Sequence, residues 1–128
     1  MPERKYILIV DDEEDVRRMI LSKILLDYSE RYDPLITVDG HEALALMKAK
    51  DIAAVVLDIR LPNLNGMEVC REVMADEKLR SIPIIVSSGF VRETEKEKLR
   101  SLGVKYFLDK PYPLDALFHK IDEVTGQN

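Results

Sequence analysis

Cysteine occurs once in the 128 residues, at Cys70, which excludes an internal disulfide and any metal site built from several thiolates. Its helical neighbourhood reads as a buried structural thiol. No apolar run approaches the roughly 20 residues that span a bilayer. The opening Met-Pro-Glu-Arg-Lys lacks the apolar core and small-residue cleavage site of a signal peptide, so a cytoplasmic location is expected. A basic excess is missing too. The formal net charge is -5, whereas direct nucleic-acid binding usually shows a basic face. Neither Gly-x-x-x-x-Gly-Lys-Ser/Thr nor Gly-x-Gly-x-x-Gly occurs, so no nucleotide cradle is encoded. What remains is ordinary globular material, 46% hydrophobic and 34% charged, expected to form one domain over residues 1–128.

Ile52-Ala-Ala-Val-Val-Leu-Asp58 is the organising stretch. The continuous apolar run Ala53 to Leu57 reads as a strand buried on both faces of a parallel sheet, where alternation disappears. It delivers Asp58 to its carboxyl end. Around it the chain alternates strand and helix signals. Tyr6 to Val10 is a strand ending on Asp11-Asp12, and a helix from about Glu14 to Asp27 follows, with Val16, Ile20 and Ile24 on one stripe and Leu21 and Leu25 beside it. Leu35 to Val38 reads as a short strand after Pro34, and Gly40 to Lys50 as a helix with Ala43, Leu44 and Met47 inward. After the loop Ile59 to Gly66, which contains Pro62, Asn63 and Asn65, the pattern gives a helix Met67 to Asp76 with Val69, Cys70, Val73 and Met74 inward. A strand Ile84 to Ser87 runs into Ser88-Gly89. The next helix, about Val91 to Leu102, is mostly charged; only Val91, Leu99 and Leu102 are candidates for burial, which makes it the loosest of the five. Tyr106 to Asp109 is the fifth strand, and Leu114, Leu117, Phe118 and Ile121 mark a final helix.

Five strand-then-helix units imply a parallel sheet with helices on both faces, because right-handed crossovers must cover both sides. All carboxyl ends then share one edge, where open α/β sheets form their ligand crevice. That edge receives Asp11 and Asp12, Asp58, Ser88 and Lys110. Three carboxylates in one crevice raise each other's pKa unless a cation sits among them. A hard divalent ion with open positions suits such an oxygen site, Mg²⁺ being the usual choice. A carboxylate can attack phosphorus to form an aspartyl phosphate, with the metal, a lysine and a hydroxyl holding the phosphoryl oxygens. With no nucleotide cradle, the donor is another protein or a small phosphate.

Across essentially its whole length the chain resembles the receiver domain of two-component response regulators. The resemblance is carried by Ile9-Val10-Asp11-Asp12-Glu13, Leu57-Asp58-Ile59-Arg60-Leu61-Pro62-Asn63-Leu64-Asn65-Gly66, Pro83-Ile-Ile-Val-Ser-Ser88-Gly89 and Gly103-Val-Lys-Tyr-Phe107-Leu-Asp-Lys110-Pro111. It implies a five-stranded parallel sheet in the order 2-1-3-4-5, the flavodoxin-like receiver fold. It implies that Asp58 takes a phosphoryl group from a phosphohistidine on a sensor kinase or phosphotransfer protein, so that the chain catalyses its own phosphorylation and dephosphorylation only. Asp11, Asp12 and Asp58, with the backbone carbonyl of Arg60, are the implied ligands of Mg²⁺, or of Mn²⁺. Lys110 is implied to pair with the phosphoryl group before a cis bond to Pro111. Ser88 stands at the switch hydroxyl and Phe107 at the switch aromatic, with the fourth helix, fifth strand and fifth helix as the signalling surface and as a route to a homodimer. An output protein or effector domain is the remaining implied partner.

Two other classes compete with this reading. A haloacid-dehalogenase-type phosphatase also forms an aspartyl phosphate, but its nucleophile belongs to an Asp-x-Asp after the first strand, where this chain has Asp11-Asp12. A receiver-like interaction module would share the fold and go unphosphorylated. Arg60 is equally compatible with screening the phosphoryl group and with lying solvated, and Gly89 opens space beside the site. His41 and His119 have no partner motif and read as surface residues.

Overall fold

The computed structural model describes residues 4–61 and 64–126. Its centre is a parallel sheet of β1 (Lys5–Val10), β2 (Tyr32–Thr37), β3 (Ile52–Leu57), β4 (Ile84–Ser88) and β5 (Tyr106–Asp109), in the order β2-β1-β3-β4-β5. The α-helices are α1 (Glu14–Lys23), α2 (Gly40–Ala49), α3 (Gly66–Ala75), α4 (Glu93–Leu102) and α5 (Leu114–Thr125). This is the expected architecture. Among the described residues no helix is long and apolar enough to cross a membrane.

The unalternating runs are explained by two separate cores. Leu8 and Val10 of β1 and Val55 and Leu57 of β3 face one core with Ala43, Val69, Val73 and Leu99. Their neighbours Ile7, Ile9, Ala54 and Val56 face the other, with Ile20, Ile24, Leu117, Phe118 and Ile121. Successive strand residues point to opposite faces, so a strand covered on both must be apolar throughout. α2, α3 and α4 therefore cover one face, and α1 and α5 the other.

Three boundaries depart from the sequence expectation by more than one residue. β2 begins at Tyr32 and continues through Pro34, which pairs with Ile7, while Val38 lies beyond it and is exposed. β2 is an edge strand, where proline is accommodated. α1 ends at Lys23, and Ile24–Tyr28 continue as a π-helical turn. That wider turn buries Ile24 fully and leaves Leu25 and Leu26 61% and 81% exposed, so Leu25 is not beside the buried stripe as its spacing suggested. α4 starts at Glu93, after Val91, and Leu99 is its only buried residue; Val91 and Leu102 are half-buried. Gly103 closes α4 in the left-handed conformation, with φ 112°.

The end of the sheet opposite the carboxyl edge is tied by a polar cluster that the sequence did not announce. The buried Tyr32 hydroxyl bonds Asp122 and, at 3.0 Å, Thr125, while Arg31 pairs with Asp122 at 3.1 Å. Tyr28 stacks on Phe118 with ring centres 4.6 Å apart. These contacts fix α5 to β2 and the π-helical turn.

Candidate functional site

Each site residue sits where a strand stops. Asp11 and Asp12 follow β1, and Asp58 follows β3, its N–H donating to the Val10 carbonyl at 2.8 Å. Ser88 is the last residue of β4, and Lys110 follows β5, its N–H donating to the Ser88 carbonyl at 2.9 Å. The ladders thus carry their register one step past the strands. Asp11, Asp58 and Ser88 are 1%, 3% and 1% exposed, while Asp12 faces solvent.

Carboxylate oxygens of Asp11, Asp12 and Asp58 lie within 4.8 Å of one another. Lys110 is the cation that answers them. Its Nζ is 2.7 Å from Asp11 Oδ2, 2.8 Å from Glu13 Oε1 and 3.1 Å from Asp58 Oδ2. Asp58 Oδ1 accepts the Arg60 backbone N–H at 2.9 Å and the Ser88 hydroxyl at 3.2 Å, so the plane of the carboxylate is fixed by donors on two elements. Asp11 Oδ1 accepts the Glu13 N–H at 2.8 Å, and Arg17 donates to the Asp11 carbonyl at 3.1 Å. Ser87 points to the other face, where its hydroxyl meets that of Tyr112 at 2.9 Å, in agreement with the choice of Ser88. The Lys110–Pro111 bond is cis. Phe107 is half-buried against the core under α2, α3 and α4, with the Arg100 guanidinium 5.2 Å from its ring centre. The Arg60 side chain is 50% exposed, as the solvated reading had it, and is turned to α4. Its guanidinium is bound to Glu95 of α4. Pro62 and Asn63 of the quoted loop lie outside the described residues, and Asn65 caps α3 by accepting the Glu68 N–H at 3.1 Å.

Two participants escaped sequence reading, Glu13 as a partner of Lys110 and Glu95 as the partner of Arg60. Glu13 lies in the acidic run after β1, which was the available signal. Glu95 had none.

Charge governs the crevice. Burial pushes the Asp11 carboxyl upward; Lys110 and the Glu13 N–H pull it back only in part, and the nearby Asp58 charge adds to the rise. Burial alone would depress the Lys110 ammonium, but its ion pairs with Asp11, Glu13 and Asp58 outweigh that and hold it charged. The buried Asp11 Oδ2 is paired with Lys110 by charge yet receives no aligned hydrogen bond. An under-satisfied buried oxygen beside two further carboxylates suits a hard divalent cation, so the donor set fits Mg²⁺.

This charge balance has a measurable consequence. Because burial raises the Asp11 pKa, the protonated carboxyl favours the folded state at low pH. That contribution is lost as pH rises through the folded-state value, which lies above the ordinary 3.8. A divalent cation on the cluster offsets the loss. The gain in Tm on adding excess Mg²⁺ is therefore expected to grow from acidic pH to neutrality, read by thermal unfolding at a series of pH values. A gain independent of pH would contradict it.

The family model described as "Response regulator receiver domain" matches residues 7–122. The polar-differentiation response regulator DivK of Brucella ovis is 31% identical over 122 residues, covering 95% of this chain and 97% of the relative. Among solved structures, the phosphorylated cyanobacterial phytochrome response regulator RcpA superposes with a TM-score of 0.82 at 26% identity, covering 95% of this chain and 91% of that one. The receiver domain of sensor histidine kinase PA1611 from Pseudomonas aeruginosa PAO1, with magnesium coordinated in its active-site cleft, gives a TM-score of 0.81 at 26% identity, covering 97% and 99%.

Proposed function

Since the chain belongs to the response regulator receiver domain family of two-component signalling, we propose that it is a switch worked by a phosphoryl group on Asp58. The observation that carries the reading is the setting of that residue. Asp58 is a buried carboxylate held by a backbone N–H and a hydroxyl, faced by an ammonium at 3.1 Å, beside two more carboxylates. Burial keeps water from competing, and the fixed plane leaves the carboxylate positioned for in-line attack.

In the reaction an oxygen of Asp58 forms a bond to phosphorus as the bond from phosphorus to a donor histidine nitrogen breaks. The imidazole nitrogen keeps the electron pair and takes up a proton. Lys110 swings from the free carboxylate onto the phosphoryl oxygens, a displacement small for an ammonium already shared among three acceptors. A divalent cation held by Asp11, Asp12, Asp58 and the Arg60 carbonyl would offset the charge developing on the phosphoryl group. Hydrolysis reverses the bond: water attacks phosphorus, the carboxylate leaves, and inorganic phosphate departs. The donors implied by this chemistry are a histidine kinase or a phosphotransfer protein.

Ser88 supplies the readout. Its hydroxyl already lies inward on Asp58, so phosphorylation changes its acceptor rather than fetching it from afar. A phosphoryl group adds roughly -1.5 to -2 charge, which tightens that bond. Phe107, half-buried on the neighbouring strand, and the weakly anchored α4 are the elements able to respond. In the phosphorylated Ser88→Ala variant the coupling to α4 is expected to be about tenfold weaker, the worth of one hydrogen bond to a charged group. Hydrogen exchange of α4 amides with and without the adduct reads this. An unchanged response in the variant would refute the role of Ser88.

The reading as a whole is tested by intact mass after incubation with phosphoramidate and Mg²⁺. One phosphoryl adduct on the wild type and none on Asp58→Asn is expected; an adduct that persists in the variant, or none on the wild type, would overturn it.

A further inference from the structure

Arg60 has two attachments with different consequences. Its backbone N–H donates to Asp58 Oδ1 at 2.9 Å, which places the residue one hydrogen bond from the acceptor carboxylate. Its guanidinium reaches the other way, bonding Glu95 through both oxygens at 2.8 and 3.1 Å and the Phe90 carbonyl at 3.3 Å. One side chain thus joins the site loop to the turn after β4 and to the first turn of α4. Glu95 does not depend on this pairing for its place. Its Oε1 also accepts the Arg92 N–H at 3.0 Å, as the third residue of a helix cap.

We propose that Glu95 is a positioning residue that holds Arg60 off the acceptor in the unphosphorylated state, and that the aspartyl phosphate takes the Arg60 guanidinium from it. The inference rests on Asp58 as the site of phosphorylation. A forked guanidinium accepts a carboxylate and a phosphoryl group with the same two-donor geometry. The carboxylate carries one charge and the phosphoryl group roughly -1.5 to -2. The Arg60 side chain is 50% exposed and that of Glu95 19% exposed, so solvent screens the pair in part and limits what the exchange gives up. Lys110 contacts Asp58 from just after β5 and Ser88 from the end of β4, while Arg60, in the loop after β3, borders the carboxylate through its backbone N–H from a third element. On exchange, the Phe90 carbonyl loses its donor and the turn carrying this 66% exposed phenyl ring loses its tether, while the cap from Glu95 to Arg92 keeps α4 helical. The phosphoryl state is thereby passed to α4 along a route separate from Ser88 and Phe107.

The test is a double-variant cycle read by the phosphoramidate concentration that half-phosphorylates the protein, followed by intact mass with Mg²⁺ present. Glu95→Gln removes the competing charge while retaining an oxygen for the cap, and the half-phosphorylating concentration is expected to fall about threefold, the scale of one half-exposed ion pair. Arg60→Ala is expected to raise it by a similar factor. In the Arg60→Ala background, Glu95→Gln is expected to change nothing. A Glu95→Gln effect that is missing, or one of equal size without Arg60, overturns the inference and leaves Glu95 as a helix cap alone. A wild type that takes no phosphoryl group overturns the reading of Asp58 as well, whereas a wild type that is phosphorylated without this coupling overturns only the exchange.

Discussion

Lys110→Met is expected to slow aspartyl phosphate formation roughly a hundredfold, the cost of removing one preorganised charged donor from a developing anion. No other cation among the described residues lies within ion-pair distance of Asp58. The same change strips the compensating charge from Asp11 and Asp58, whose side chains are 2% and 4% exposed. Removing one partner from a buried ion pair costs about 3–5 kcal/mol, so the variant should unfold at distinctly lower denaturant concentration at neutral pH. Mg²⁺ should restore more stability to the variant than to the wild type, because the cation then answers carboxylates that have no ammonium. Chemical denaturation with and without Mg²⁺, and phosphoramidate kinetics on the folded variant, check both effects. A rate within about threefold of wild type would show that Lys110 does not hold the phosphoryl group.

Gly66→Ala tests the scaffold beneath the acceptor. A Cβ at Gly66 would meet the Ile59 Cα at 2.6 Å and the Asp58 carbonyl oxygen at 2.7 Å. Both are backbone atoms of the turn that carries Asp58, so the overlap can be relieved only by moving that turn or the start of α3. Overpacking of this kind costs about 1–3 kcal/mol. The displacement would also part Asp58 from Lys110 and Ser88, and phosphorylation should fall with stability. Gly89→Ala is the control. A Cβ there meets nothing within 4 Å, and a change within about 0.5 kcal/mol is expected. Equal destabilisation at the two positions would contradict the packing account.

Much of this arrangement was legible because it follows from short-range pattern. The runs Ile7 to Val10 and Val55 to Leu57 lack alternation since both faces of the sheet are covered, and that property, with their short length and the helix signals between them, identifies central parallel strands. Once the strands are parallel, residues that follow them share one edge, and Asp11, Asp12, Asp58, Ser88 and Lys110 assemble without further assumption. What the sequence did not disclose depends on distance along the chain or on tolerance. Arg60 and Glu95 are 35 residues apart, and Tyr32 and Asp122 are 90 apart, with no periodicity linking them. Pro34 looked like a strand boundary, yet an edge strand admits it. The π-helical turn at Ile24–Tyr28 is invisible to a 3.6-residue period, which therefore placed Leu25 wrongly.

The central claim is that Asp58, within this charged crevice, carries the phosphoryl group. Its most direct test is the intact mass of the wild type and of Asp58→Asn after incubation with phosphoramidate, in Mg²⁺ and in excess EDTA. The account predicts a single adduct on the wild type in Mg²⁺ and none on the variant or in EDTA. An adduct on Asp58→Asn, or a wild type that remains unmodified in Mg²⁺, would contradict it.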